Sequence, residues 1–393
     1  MNILVVNCGS SSVKLRLLYA DDSRVTSLSD ASAERLGPEA TLAARGVNGK
    51  VVRQQQPIEG CGEAISALLD VLGEDGPPPI DAIGHRVVQG GDFCEPTIIN
   101  DDVIAAIDRA RLLAPLHNGP ALEGIRAIRG RLPDAPTVAV FDTAFHAGMP
   151  AEAARYALPE EMATNWGVRR YGYHGIAHRS LSERFAALTR TPLDNVALVT
   201  LQLGNGCSAA AVRGRTSIDT SMGFTPVEGL VMGTRPGDVD PSVVTYLQRE
   251  HDVSPDDVEA VFNHQSGLLG ISGTTADMAA LLEEEAQGHP GAHAAIEMFC
   301  YRVRKYIGAY VAVLGKTQAV VFGGGIGERS PEVRRRICEP LGALGILIDR
   351  GVNSSLRDAE GRFSTDGSPI AAWAIPSDEE RVIARDTYDT LTR

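Results

Sequence analysis

The residues with most chemical promise lie in glycine-bearing turns. Asn7-Cys-Gly-Ser-Ser-Ser12 follows an apolar run, Ile3 to Val6, and precedes Val13, Leu15 and Leu17, which alternate with other residues. That pattern predicts two strands joined by a tight polar turn, with Gly9 supplying conformations that a side chain forbids. The backbone N–H groups of the turn, the hydroxyls of Ser10, Ser11 and Ser12, and the ammonium of Lys14 could hold an anion. The same residue types also build ordinary polar hairpin loops, so this turn alone leaves both readings open. A second copy favours the anion. Val196 to Val212 reads as apolar strand, Gly204-Asn205-Gly206-Cys207-Ser208 turn, apolar strand. A further turn, Gly323-Gly324-Gly325-Ile326-Gly327-Glu328, follows the apolar strand Ala319 to Phe322. Hairpins recurring half a chain apart predict duplicated α/β domains facing one another across a cleft, each offering a backbone loop to one polyphosphate.

The elements that must position these groups follow from hydrophobic spacing. Residues 19–57 are polar and weakly patterned and predict irregular strands and loops. Gly62 to Leu72 predicts a helix, stopped by Gly73 and Pro77-Pro78-Pro79. Ile80 to Val88 predicts a strand carrying His85 and Arg86 and ending at Gly90-Gly91. A helix over Asp101 to Leu113, capped by Asn100 or Asp101, precedes a compact loop, Ala114 to Pro120, that holds His117; a helix over Ala121 to Arg131 follows. Val138 to Phe141 predicts a strand with Asp142 at its carboxyl end, where ligands of such sheets gather. The first domain boundary falls near Gly148-Met149-Pro150. Arg169 to His178 predicts a glycine-bearing turn with a helix after it, and Met232 to Pro241 a Gly/Pro loop. Ile296, Phe299, Cys300, Val303, Ile307, Val311 and Leu314 form an apolar stripe on the longest helix. Pro331 to Leu344 predicts helix and Ile370 to Ile375 strand. The last helix opens with a capping box at Ser377 to Glu380 and returns toward the cleft. The resulting division is residues 1–148 plus 378–393 against residues 149–377.

Bulk properties exclude several classes. A chain of 393 residues with 44% hydrophobic and 22% charged residues suits two globular domains. The net charge of −13 argues against general nucleic-acid binding, though not against a small anionic substrate. The apolar runs are too short to span a membrane, and Met1-Asn2-Ile3 leads directly into a strand without a signal-peptide pattern, so a cytoplasmic location is expected. Cys8, Cys61, Cys94, Cys207, Cys300 and Cys338 are scattered, without a zinc or disulfide pattern. The P-loop signature is absent, and GGGIG does not fit the dinucleotide fingerprint. His174 and His178 lie four apart but lack the glutamate of a zincin helix and an evident third ligand.

Taken together, NCGSSSVKL, GHRVVQGG, LAPLHNG, FDTAFH, RRYGYHG, QLGNG, TSMGFTPVEGLVMGTRPGDVDP, GGGIGE and SDEERVIARDT resemble the acetate kinase family, in that family's order and across nearly the whole chain. The resemblance implies duplicated actin-like (ribonuclease H-like) domains with mixed sheets flanking an interdomain cleft, an N-terminal acyl/phosphate-binding domain and a C-terminal nucleotide-binding and dimerisation domain. It implies reversible phosphorylation of acetate, or propionate, by ATP in a homodimer using Mg2+ or Mn2+. By resemblance, Arg86 binds the carboxylate, Asp142 is the essential aspartate, His174 and Arg235 clamp the transferring phosphoryl group, and His117 is a further active-site histidine. Asn7 and Glu379 stand near the metal. Lys14, Ser10, Ser12, Gly204, Asn205, Gly206, Asp277, Gly325, Ile326, Gly327 and Glu328 serve the nucleotide and its phosphates. The sequence departs from the family pattern at Gln89 and Gln202, both in place of histidine, at Tyr173 in place of phenylalanine, at Ala279 in place of arginine, at Asp378 in place of asparagine, and at the extra glycine, Gly119.

The chemistry agrees with such a set. A carboxylic acid is ionised at neutral pH and needs no base to attack phosphorus. What it needs is positive charge and in-line placement against an anionic triphosphate. Direct transfer competes with a phospho-glutamate intermediate. Alternatives to the ATP-linked enzyme are a pyrophosphate-linked carboxylate kinase and an actin- or chaperone-like ATPase switch; the latter has no use for Arg86, His174 and Arg235.

Overall fold

In a computed structural model, which describes residues 1–73 and 78–393, the chain divides into two compact units, Met1–Ala147 with Asp378–Arg393, and Gly148–Ser377. Pro77, part of the expected helix stop, lies outside the described residues.

The first unit holds strands β1 (Asn2–Cys8), β2 (Ser12–Ala20), β3 (Val25–Glu34), β4 (Gly37–Arg45), β5 (Val51–Ile58), β6 (Ala82–Val87), β7 (Thr97–Ile98) and β8 (Thr137–Phe141), in the order β5-β4-β3-β2-β1-β6-β8-β7. β1 runs antiparallel to β2 and parallel to β6, and β6 is parallel to β8. Ile3, Leu4, Val5 and Val6 are all buried, as a continuous apolar run in a central strand requires. Helices α1 (Cys61–Gly73), α2 (Asp101–Arg109), α3 (Pro115–Arg131) and, from the end of the chain, Glu379–Thr392 flank this sheet.

Residues 19–57 correct the sequence reading. They form a regular meander, β3 to β5, rather than irregular strands and loops. Its inward positions include Ala31, Ala33, Ala40 and Ala44, whose small side chains give the alternation too little contrast to read as strand. Gly9 is a second correction. It does not take a left-handed φ, and a Cβ there would meet only Ser12 atoms at ordinary contact distance, so its conformational freedom goes unused. A third concerns His117, expected in a loop. It stands in the first turn of α3, which starts with Pro115 at N1, where a missing N–H costs nothing, and continues through Pro120. Asn100 caps α2 by accepting from the Val103 N–H, and α2 ends at Arg109 before a 3₁₀ turn, Ala110–Leu113.

The second unit contains β9 (Ala197–Leu203), β10 (Cys207–Arg213), β11 (Thr216–Thr220), β12 (Ala319–Gly323), β13 (Gly361–Arg362) and β14 (Ala371–Ala374), in the order β11-β10-β9-β12-β14-β13. β9 pairs antiparallel with β10 and parallel with β12, and β12 is parallel to β14. The order β3-β2-β1-β6-β8 of the first unit therefore returns as β11-β10-β9-β12-β14. The hairpins that matched in sequence open both copies.

Helix α4 (Gly175–Thr189) begins inside the segment expected to be a turn. The long helix α5 (Pro290–Leu314) buries Ile296, Phe299, Cys300, Val303, Ile307 and Leu314 and packs on β9 and β10. The glycine run after β12 is a second departure: Gly324–Arg329 is a short helix, α6, not a turn. Gly324 takes φ +73°, and a Cβ there would lie 2.5 Å from the Leu203 carbonyl oxygen, so the position needs glycine on both counts. Helix α7 (Pro331–Cys338) follows, shorter than expected and continued by 3₁₀ turns to Leu344. The final helix, α8 (Glu379–Thr392), is capped by Asp378, which accepts from the Arg381 N–H, instead of by Ser377.

Candidate active site

In the first unit, the carboxyl ends of neighbouring strands and the first residue of α8 bring four predicted residues together. Arg86 on β6 donates from Nη2 to Asp142 Oδ2 at 2.6 Å and from Nη1 to Asn7 Oδ1 at 3.4 Å. Its Nε lies 3.5 Å from Glu379 Oε2. Asp142, just past β8, is fully buried, and its Oδ1 has no hydrogen-bond partner among the described residues. Lys14 stands opposite Asn7 in the hairpin register.

The electrostatics follow from this crowding. Burial alone would lower the Arg86 pKa; the charges of Asp142 and Glu379 outweigh it and hold the guanidinium above its ordinary value. Burial raises the Glu379 carboxyl, with Arg86 and Lys14 pulling it down and Asp142 pushing it further up. Arg86 is thus shared between two carboxylates. The unpartnered Asp142 oxygen, the Glu379 carboxylate and the Asn7 amide oxygen make an all-oxygen donor set of the kind a hard divalent cation takes. No group of three or more His, Cys, Asp or Glu able to hold a metal occurs among the described residues. The set therefore fits an ion that keeps waters and substrate phosphates in its shell, as Mg2+ does.

Ser10 and Ser11 are exposed and Ser12 half-buried in the turn closed by Gly9 N–H to Ser12 O at 2.8 Å. Gln89, in the histidine position, accepts from the Gly91 N–H through Oε1 at 3.0 Å and so shapes the turn after β6. Sequence reasoning missed Asn118. Fully buried, it accepts from Gln89 N–H and donates to Gln89 O, fixing the backbone that follows Arg86. Its only signal was an amide one residue from His117.

In the second unit, His174 and Arg235 converge on the Gly204–Gly206 turn. A Cβ on Gly206 would sit 3.4 Å from His174 Cε1, 3.5 Å from its Nε2 and 4.0 Å from Arg235 Nη1. These are ordinary contact distances, so the turn lies within reach of both side chains. The exposed Asn205 accepts from the Gly233 N–H through its carbonyl at 2.8 Å, tying the turn to the loop that carries Arg235. Arg235 donates to Pro226 O at 2.9 Å and has no carboxylate within ion-pair distance among the described residues. Burial lowers its pKa, a guanidinium with room for an anion.

The loop before Arg235 is braced from several sides. Arg170 pairs with Glu228 at 2.6 Å and donates to the Ser221 and Met222 carbonyls, and the Tyr156 hydroxyl donates to Glu228. Tyr173, fully buried in the phenylalanine position, donates its hydroxyl to Phe224 O at 2.8 Å. Farther along the loop, Asp238 accepts from Tyr306 and pairs with Arg302 at 3.1 Å. None of these braces was evident from the sequence, because the partners are distant in the chain.

The remaining predicted residues divide. Gly325 is exposed, with nothing within 4 Å of a Cβ position, and Ile326 is half-buried beside it. Gly327 is buried against Phe322 and Leu203. Glu328 accepts from the Gly324 and Ser377 N–H groups through Oε1, so that oxygen holds backbone. Asp277 is exposed and caps a short helix by accepting from the Ala280 N–H. Gln202 leaves its buried Oε1 without a hydrogen-bond partner among the described residues. The Cys207 thiol is buried and pushed up to about 12, which keeps it protonated and unreactive.

Arg334 was also missed. Fully buried, it donates to the Gly327 and Glu328 carbonyls at the end of α6, to Asn353 and to Leu356, and lies over the Phe363 ring. Burial lowers it to about 10. It occupies the carbonyl end of α6, where a cation is favoured.

The profile of the acetokinase family matches residues 2–385. The chain belongs to the acetokinase family. It is 47% identical to the acetate kinase of Clavibacter michiganensis subsp. michiganensis over 98% of this chain and 97% of that one. It superposes on the crystal structure of Porphyromonas gingivalis acetate kinase with a TM-score of 0.89 at 39% identity. A propionate kinase from Francisella tularensis subsp. tularensis gives 0.90 at 38% identity, and both comparisons cover 99% of each chain. The repeated strand order is thus the duplicated actin-like fold of these kinases. Among the described residues, no helix is long and apolar enough to cross a membrane.

Proposed function

We propose that this chain transfers the γ-phosphoryl group of ATP to acetate, with propionate next in preference, giving an acyl phosphate and ADP reversibly. The observation that carries the reading is the gathering of Asn7, Arg86, Asp142 and Glu379 at the strand ends of one domain. In this reading Arg86, its plane set by Asp142 and Glu379, uses its remaining N–H donors to orient the carboxylate. The acid's oxygen is already anionic and attacks phosphorus in line without a base. Arg235 and His174 meet the equatorial oxygens as charge spreads over them, in a setting where fixed donors act with little reorganisation. Lys14 and the Ser10–Ser12 turn serve phosphate oxygens, and His117 stands on the acid side. Gly204–Gly206 and Gly325–Glu328, with Asp277 beyond them, border the nucleotide.

Glu379 and Asn7 would hold Mg2+, or Mn2+, with Asp142 aligning its waters. The ion supplies neutralisation of phosphate charge. In this reading the chain acts as a cytoplasmic homodimer, with α5 in the dimer contact; its exposed Met298, Tyr301 and Val313 support an apolar outer face. The open ground over Gly325 favours a nucleotide over pyrophosphate.

A hydroxylamine trap for acyl phosphate tests this. Acetate, propionate and butyrate are each offered with ATP, GTP and pyrophosphate. Trapped product with acetate and ATP is expected; no product with any acid overturns the reading.

A further inference from the structure

The proposed reaction depends on Arg235, yet its guanidinium has a single oxygen partner among the described residues, the Pro226 carbonyl at 2.9 Å. Its other side-chain contact is Met232 Sδ at 3.9 Å. A carbonyl orients a cation without cancelling the charge it offers to phosphate; a carboxylate in the same place would cancel it. What holds that carbonyl therefore sets the direction of the guanidinium. Pro226 is buried in residues 221–229, which lie outside every helix and strand, so side chains must hold this backbone in place of a ladder.

Two tyrosines hold the backbone just before Pro226. The Phe224 N–H donates to Tyr156 Oη at 2.8 Å, and Tyr173 Oη donates to the Phe224 carbonyl at 2.8 Å. Only Thr225 separates Phe224 from Pro226. A residue before proline favours extended backbone, and the proline ring fixes its own φ, so this link has little freedom. Beyond Pro226, Glu228 accepts from Tyr156 Oη through Oε2 and from Arg170 Nη2 through Oε1. Tyr156 thus grips the loop on both sides of Pro226. Gly223 lets these groups meet, since a Cβ there would overlap both Glu228 Oε2 and Tyr156 Oη.

The charges suit this arrangement. Burial and the bond to Glu228 raise the Tyr156 hydroxyl above its ordinary value, so it keeps the proton it donates. Burial alone would lower Arg170; the Glu228 charge outweighs it and keeps the pair ionised. Arg170 Nη1 donates in turn to the Ser221 and Met222 carbonyls, which ties Glu228 to the start of the same loop. We propose that Tyr156 and Glu228 are positioning residues for phosphoryl transfer, which hold the Pro226 carbonyl so that the Arg235 guanidinium stays directed at the transferring group.

This role rests on the reaction assigned above, with Arg235 meeting the phosphoryl group in transit. A double-mutant cycle on the full chain, read by acyl phosphate formation, tests it. Tyr156→Phe keeps the ring and removes both of its hydroxyl bonds. It should lower kcat about tenfold to a hundredfold, the scale of a small misplacement of a catalytic group, and leave KM for ATP within about twofold. In the Arg235→Ala background the same change should leave the residual kcat within about twofold, because the group it directs is gone. Should Tyr156→Phe fail to fold, Glu228→Gln takes its place in the cycle, since the amide turns one oxygen into a donor facing groups that already donate. Equal fold losses with and without Arg235 overturn the proposal, as does a KM for ATP that rises as far as kcat falls. A wild type that forms no acyl phosphate overturns the assigned reaction, and this role with it.

Discussion

Arg86 donates to Asp142 across 2.6 Å, joining the ends of the adjacent parallel strands β6 and β8, and Asp142 is fully buried beneath it. The two therefore share one desolvated corner, and removing either changes what the other costs. Arg86→Ala should lower kcat/KM by about 10³ or more, since arginine stabilisation in phosphoryl transfer is of that order. It should also destabilise the fold by about 3–5 kcal/mol, because a buried carboxylate loses its counter-charge. Adding Asp142→Asn should restore part of the stability and none of the activity. Urea unfolding beside acyl phosphate assays separates the two effects, and a stable, active Arg86→Ala protein contradicts both.

Arg235 faces the Gly206 turn without a carboxylate partner among the described residues, so its removal strands no counter-charge. Arg235→Ala should fold and melt close to wild type yet lose about 10³-fold or more in kcat. Full turnover by the purified variant removes it from the clamp. By contrast, Tyr173→Phe removes the bond to Phe224 O, and a loss of about 0.5–1.5 kcal/mol in thermal or urea unfolding is expected for that bond.

Arg334 satisfies carbonyls at the end of α6 from a fully buried position. Arg334→Met should fill the space but leave those carbonyls unpaired, at about 1–3 kcal/mol for each oxygen that finds no water. Because α6 carries Gly325 and Ile326, KM for ATP should rise more than KM for acetate. Equal changes in both would detach α6 from the nucleotide.

His85, beside Arg86 but fully buried, is pushed down to about 3 by burial. Its unfolded value is about 6.5. Between these values the unfolded chain binds a proton that the folded chain refuses, so stability is fully present above pH 6.5 and falls as the pH drops toward 3. The slope from this group is at most about 1.4 kcal/mol per pH unit. Glu379 and Glu380, both raised by burial, work in the opposite sense. Comparing wild type with His85→Leu in urea at pH 7 and pH 5 isolates the histidine: the variant should lose less stability on acidification. Parallel losses would mean His85 titrates normally.

Water is a weaker nucleophile than a carboxylate held by Arg86, so ATP hydrolysis without acetate should be slow. Direct transfer also predicts no label kept on the protein after γ-labelled ATP is supplied without acid. Retained label that acetate then removes would favour a phospho-glutamate.

The sequence by itself determined the duplicated hairpins, the α/β class and the residue types of the site. These are local signals: continuous apolar runs, glycine at fixed spacing, and a cation or acid at the end of a strand. It did not reveal the β3–β5 meander, whose buried alanines blur the pattern, or the helical start at His117, where proline and glycine read as loop. Tertiary structure alone decided which groups brace the candidate site. Asn118, Arg334 and Glu228 hold partners far away in sequence, and no spacing rule encodes such a hydrogen bond. His178 makes the difference plain. Its four-residue offset from His174 offered neither a metal set nor a role, and only the fold places its ring beside the hydroxyls of Thr200 and Ser208.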